Sequence, residues 1–139
     1  MTLTIARAES EADIADCLAL RWDVFVTEQG VAEADELDGT DVGCVHVLAR
    51  YGDTPVGAAR YHATADHVSI GRVCVVSDMR RRGYGRDMIR FICRAGALKS
   101  ASLSAQVDAL EFYRQLGFIP EGEVYLDAGI AHQSMTLVL

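Results

Sequence analysis

Polar and apolar positions alternate along Thr2–Ala8 (TLTIARA), which predicts a first strand. From Ser10 the period lengthens. Ser10-Glu11-Ala12-Asp13 has the form of a capping box. Ile14, Leu18, Trp22, Phe25 and Val26 then recur at threes and fours, so a helix should bury one stripe and fade near Gly30. Residues 31–43 carry Glu33, Asp35, Glu36, Asp38 and Asp41 with Gly39 and Gly43, and read as an acidic, solvated loop with at most a short helical turn. Alternation returns in Val45–Tyr51, and a turn over Gly52–Pro55 leads to an antiparallel partner, Val56–His62. After a second turn at Ala65-Asp66, Val68–Val76 reads as a long strand. It grows continuously apolar toward its end, which predicts burial there on both faces.

Beyond Gly83 the helical period resumes through Tyr84, Met88, Phe91, Ile92, Ala95 and Leu98. Leu103–Val107 reads as a short strand. Asp108, with Glu111 three residues on, is placed to cap a further helix that Gly117 would end. Glu123–Leu126 and Ile130–Leu139 predict a closing hairpin around Asp127-Ala128-Gly129, whose last strand offers an edge through which two copies could pair as a homodimer. Strands mixed with strand–helix–strand crossovers predict an α/β (α+β) fold: a mixed, mostly antiparallel sheet with helices on both faces.

Bulk composition narrows this picture. The chain has 139 residues, half of them hydrophobic, two prolines and no low-complexity tract, so residues 1–139 should form a single domain. Its net charge of −7 disfavours a nucleic-acid or anionic-membrane partner, both of which want a basic footprint. Arg80, Arg81, Arg82, Arg86, Arg90 and Arg94 are nevertheless bunched, and a local positive site on an acidic protein suits a small anion. Cys17, Cys44, Cys74 and Cys93 form no C-x-x-C pair and lie in apolar patterns, as reduced core cysteines do. With neither a leader pattern nor an apolar run of membrane length, the expected location is cytoplasmic. His46, His62 and His67 fall in no ligand cluster, so no metal is expected.

The informative stretch is Val73–Met88 (VCVVSDMRRRGYGRDM): a buried strand, a turn with two glycines, then an amphipathic helix. Unpaired N–H groups and the positive dipole end of such a helix attract anions. Glycine permits close backbone approach, and arginine adds charge-assisted hydrogen bonds to phosphate. The spacing fails the dinucleotide fingerprint, since Met88 stands where Gly or Ala is wanted, and it lacks the G-K-[ST] ending of a triphosphate loop. It matches R-x-x-G-x-G in full, as Arg80-x-x-Gly83-x-Gly85.

That motif after Val73 and Val75, with Ala109–Phe118 (ALEFYRQLGF) about thirty residues later, resembles the coenzyme A signature of the GNAT superfamily of N-acetyltransferases. Arg21–Gly30 (RWDVFVTEQG), Glu36–Gly39 (ELDG) and Tyr125–His132 (YLDAGIAH) are similar to its ElaA-like branch. The resemblance implies a sheet of about seven strands splayed between the fourth and fifth. It also implies acetyl-CoA as co-substrate, an amine acceptor (small molecule or peptide), and direct acetyl transfer. Val73, Cys74, Val75, Arg80, Arg81, Arg82, Gly83, Tyr84, Gly85 and Arg86 would hold the cofactor, and Tyr113 would be the general acid. Ser77 stands where many relatives have proline, and Gln106 where some have an asparagine beside the cofactor.

The base is open. Glu28 ends the first helix, where a carboxylate opposes the dipole. His132 is the second candidate, and histidine ordinarily titrates near neutrality; water is the third. Arg72 could meet a substrate acid or pair with a carboxylate. The acidic loop could steer a cationic amine. A non-catalytic acyl-CoA sensor is the rival to an enzyme, because binding and chemistry use different residues.

Overall fold

The computed structural model describes residues 1–139 as one seven-stranded sheet in the order β1-β2-β3-β4-β5-β7-β6. Its strands are β1 (Leu3–Ala8), β2 (Val45–Tyr51), β3 (Thr54–Thr64), β4 (His67–Val75), β5 (Ser100–Gln106), β6 (Ile119–Asp127) and β7 (Ile130–Val138). All neighbours are antiparallel except β4 and β5. That parallel pair runs only from His67–Ile70 against Ser100–Leu103. Past Leu103, β5 pairs only with β7, and β4 only with β3, so the sheet splays.

Helices cover both faces, as the alternation in β2 and β3 requires. α1 (Glu11–Arg21) lays Cys17 and Leu20 on Leu48, Ala58 and Cys74. α3 (Tyr84–Cys93) buries Met88, Ile89 and Ile92 against Val47, Ala49, Val56 and Ala59 on the other face. Each such side chain removed from water contributes about 1.5–3 kcal/mol. No helix is long and apolar enough to cross a membrane.

Several boundaries differ from the sequence pattern, each for a local reason. Ser10 caps α1 by accepting from Asp13 N–H at 3.1 Å, but Asp13 turns its carboxylate to Arg50 (2.6 Å) and does not close the capping box. The first helical run does reach Glu28, yet Trp22–Glu28 is wound as a wide π-helix. α3 stops at Cys93, and Gly96 at φ 69° turns the chain, so Ala95 and Leu98 lie beyond it. β5 starts three residues early because Ser100 and Ser102 bond His67 (2.7 and 2.8 Å) while Ala101, Leu103 and Ala105 are buried. Asp108 caps nothing; it lies in a 3-10 turn, Val107–Ala109, that runs into α4 (Leu110–Gln115). Gly117 does follow α4 at φ 100°. β7 is an interior strand, so the free edge on that side is β6.

The larger correction concerns residues 31–43. The expected short helical turn is there as α2 (Glu33–Glu36), followed by a 3-10 turn (Asp41–Gly43), and most of the segment is exposed. It is not a free loop, because its carboxylates meet three arginines from elsewhere. Arg21 is fully buried, with Nε on Glu36 Oε1 (2.8 Å) and Nη1 on Asp41 Oδ1 (2.7 Å). Arg60 reaches Asp41 (2.9 Å) and Asp38 (3.1 Å), and Arg72 reaches Glu36 (3.0 Å). Burial pushes the Asp41 carboxyl up, but the hydrogen bonds from Arg21 and Arg60 outweigh it and hold the group below its ordinary value.

Removing one partner of a buried ion pair strands the other charge, which costs about 3–5 kcal/mol. Arg21→Ala should therefore lower the melting temperature by about 10 °C or more in a chain of this size, a shift that calorimetry resolves. A change of a degree or two would mean that the cluster contributes little.

Candidate active site

The splay is where the chemistry-bearing residues meet. β4 carries an extra residue opposite Ala59, marked by the register shift between Ala58 and Arg60, with Arg72 at φ 52°. A non-glycine residue in that region is strained, and such bulges re-aim a strand. β4 then turns its free edge toward the gap left by β5.

Two cavities flank this edge. One, of about 660 Å³, is a groove between the loop after β4, the start of α3, and α4. Arg81, Gly83, Gly85, Arg86 and Arg90 line it, with Phe112 and Tyr113 opposite. The other, of about 310 Å³, lies under the π-helical segment, between the parted halves of β4 and β5. Phe25, Gln29, Glu36, Arg72, Ser104, Gln106 and His132 contribute to it. Val73, Cys74, Val75, Arg80, Ala109 and Tyr113 line both.

The groove fits a phosphorylated ligand on its own geometry. Asp87 N–H donates to the Gly83 carbonyl (3.0 Å), so the N–H groups before it at the helix start lack intrahelical partners. Gly83 sits at φ 84°, and a Cβ there would lie 2.6 Å from Arg86 Nη2. Arg81 is itself at φ 65°. Arg82 is exposed and lines neither cavity, and Tyr84 is buried under the loop.

The expected site residues separate in a way their spacing did not announce. Tyr113 stands in the wall common to both cavities, and burial pushes its hydroxyl up to about 12. Cys74 shares that wall, and burial raises its thiol to about 12, so it is protonated at neutral pH and unsuited to nucleophilic attack. His132 Nδ1–H donates to the Ile130 carbonyl at 2.7 Å, so in the neutral ring Nε2 is the acceptor. Its ring stacks on Tyr125, whose hydroxyl hydrogen-bonds Ser104. Glu28 lines neither cavity. Both its oxygens accept from Arg80 (2.6 and 2.7 Å), and those bonds hold its carboxyl below the ordinary value. Arg80 also donates to Val75 O at 2.8 Å.

Gln106 lines the smaller cavity, not the groove, and donates to Gln29 Oε1 at 2.7 Å. Arg72 takes the pairing option, on Glu36 and Asp38. Gln29 and Tyr125 lie inside the segments similar to the ElaA-like branch, but nothing in the sequence gives them or Ser104 a role until the sheet is assembled. His46, His62 and His67 each bond a nearby carbonyl or hydroxyl, and no group of three or more potential ligands could hold a metal ion.

Comparison with known proteins agrees with this geometry. A profile of the acetyltransferase (GNAT) domain matches residues 14–139. The chain belongs to the GNAT acetyltransferase family. It is 33% identical to the uncharacterized N-acetyltransferase YjcF of Bacillus subtilis, over 92% of this chain and 94% of that protein. The crystal structure of Escherichia coli ElaA superposes with a TM-score of 0.83 at 31% identity, covering 98% of each chain. An acyl-CoA N-acyltransferase from Pseudomonas aeruginosa superposes with a TM-score of 0.84 at 28% identity, covering 99% of each.

Gly83 is where backbone geometry is most demanding. An alanine can swing Arg86 aside but must still adopt a left-handed conformation, at about 1–2 kcal/mol. Gly83→Ala should lower the unfolding free energy by that amount, seen as a lower urea midpoint with an unchanged slope; an unchanged midpoint would show that the loop adapts freely.

Proposed function

We propose that this protein moves an acetyl group from acetyl-CoA to a primary amine by direct transfer. The reading is carried by the shared wall: one short segment, Val73–Val75 with Tyr113, borders both the phosphate-ready groove and the second cavity. Two ligands seated on either side of it would meet there. The family membership and the name of the Pseudomonas aeruginosa relative support acyl-CoA as the donor.

On this reading each residue has a distinct task. N–H groups from Arg81 to Arg86 and the Arg81 and Arg86 side chains hold the pyrophosphate, with Arg82 adding to the local field. Tyr84 packs the loop down. The free edge of β4 at Val73–Val75 polarises the thioester oxygen. A free alkylamine has a pKa of about 10.4 and arrives mostly protonated, so a base must take its proton before or during attack. His132 is favoured because it lines the acceptor cavity and its Nδ1–H is held by the Ile130 carbonyl, so Nε2 is the nitrogen left to take a proton. Glu28 is better suited to holding Arg80 against the end of β4. As the new C–N bond forms and the C–S bond breaks, Tyr113 donates to the departing sulfur. Its raised pKa keeps the phenol protonated across the neutral range. The inert Cys74 favours direct transfer over an acyl-cysteine intermediate.

Acetyl-CoA at a hundredfold its dissociation constant should stabilise the protein by about 2.7 kcal/mol, a rise of several degrees in melting temperature. The rise should vanish in the double variant Arg81→Glu, Arg82→Glu. No rise at millimolar acetyl-CoA would remove the donor assignment. A rise without thiol release over a broad amine panel would leave a sensor module instead of an enzyme.

Turnover then separates the acid from the base. Tyr113→Phe should lower kcat by about a hundredfold or more with KM for acetyl-CoA little changed. His132→Ala should lower the rate by a similar factor, and Glu28→Gln by much less. A loss below about threefold in both His132→Ala and Glu28→Gln would assign the base to water.

A further inference from the structure

The smaller cavity has a charge pattern that acyl transfer alone does not explain. Its wall holds the carboxylates of Asp35, Glu36 and Asp127 and the guanidinium groups of Arg72 and Arg80. Both guanidinium groups are already engaged. Arg72 is on Glu36 (3.0 Å) and Asp38 (3.4 Å), and Arg80 grips both oxygens of Glu28. The single lysine of the chain, Lys99, lies outside the cavity near Asp66 (3.9 Å). No free cation remains to receive a carboxylate or phosphate on the acceptor.

The carboxylates are less satisfied. Glu36 is 1% exposed, yet its Oε2 has no hydrogen-bond partner. Oε1 takes the bonds from Arg21 and Arg72. A buried acceptor without a donor is costly, and more so when charged. Asp35 and Asp127 form no ion pair; only the Asp35 backbone carbonyl is engaged, by Arg72. Between these groups the wall is apolar, with Val24, Phe25, Val31, Ile70, Leu103 and Ile130. Such a wall accepts methylenes.

We infer that the acceptor is an alkyl diamine or polyamine: one nitrogen is acetylated while a second, protonated nitrogen sits in the field of Glu36, Asp35 and Asp127. The inference rests on the transferase reading above and narrows its acceptor. An amino acid would bring a carboxylate to a site without a free cation. An amino alcohol would leave the unpaired charges unmet, and so would a simple monoamine.

Four acceptors of equal length test this by thiol release with acetyl-CoA: 1,4-diaminobutane, 1-aminobutane, 4-aminobutan-1-ol and 4-aminobutanoate. The diamine should exceed the best of the others in kcat/KM by about tenfold or more, since it alone brings a second positive charge to the acidic wall. Parity with any of the three overturns the inference and leaves the transferase reading standing. Glu36→Gln keeps the side-chain shape and should raise the diamine KM by a similar factor, with KM for acetyl-CoA unchanged. Because Glu36 also holds Arg21, Asp35→Asn with Asp127→Asn gives a second route. That pair should raise the diamine KM about fivefold without touching the buried cluster, and an unchanged KM overturns the inference. If none of the four releases thiol, the transferase reading is tested on the broad amine panel and the acidic seat by binding. Calorimetric titration of 1,4-diaminobutane into the protein with coenzyme A then decides: binding weakened by the Asp35→Asn, Asp127→Asn pair supports the acidic seat, and absence of binding overturns it.

Discussion

Everything in the site follows from two parallel strands that pair over four residues and then part. Beyond Ile70 and Leu103, β4 and β5 no longer share hydrogen bonds, and a gap inside a sheet is unstable unless its walls are held from outside. Buried backbone groups must find partners. On one wall the Val75 carbonyl is met by Arg80 Nε. On the other, the Gln106 side chain at the end of β5 meets Gln29 at the end of the π-helical segment, while β7 pairs the opposite edge of β5 along its whole length. The two cavities are therefore the two openings of one defect in the sheet, and the residues common to both are those at its apex.

The wall over the gap is kept in place by apolar contact at one end and by charge at the other. Val24 and Phe25 pack with the residues under the first helix, and the segment beyond them is fixed by the set Arg21, Arg60 and Arg72 against Glu36, Asp38 and Asp41. Three positive and three negative groups balance, which allows Arg21 and Glu36 to be buried at all. Arg72 belongs to this set and also occupies the bulge that redirects β4. Its side chain thus couples the strained backbone of the strand to the cover above it. Glu28 and Arg80 repeat the device at the other end of the π-helical segment, with a partly exposed pair.

Local chemistry was legible in the sequence, and long-range pairing was not. The two-residue period of Val45–Tyr51 and the spacing from Arg80 to Gly85 gave the strand and the loop, because those signals are carried by neighbours in the chain. The acidic run from Glu33 to Asp41 looked solvated for the same reason: its partners lie between 15 and 37 residues away, and nothing within a short window marks them. Glu28 was drawn into the candidate base set by a correct observation, a carboxylate at a helix end. The pattern could not show that Arg80, 52 residues on, is its partner. β5 was read short because its polar serines break an apolar run, although they bond His67 across the strand pair. Gln29 and Gln106 show the limit most plainly, since two amides 77 residues apart become one bridge only when the sheet has formed.

The two openings also differ in electrical sign, and this bears on how they can be used together. In the groove, Arg81 and Arg90 have no acidic partner, and Arg86 only a loose one in Asp87 at 3.5 Å. In the smaller cavity every arginine is paired and the unpaired charges are carboxylates. The apex between them, built from Val73, Cys74, Val75, Ala109 and Tyr113 with the paired Arg80, is mostly apolar, and such a wall screens charge less than water does. An anionic ligand on one side and a cationic one on the other would each be held by its own wall and attracted toward the other across the apex. Of the net charge of −7, what matters at the site is its distribution: a chain acidic overall keeps its unpaired arginines on one side of β4 and cancels those on the other.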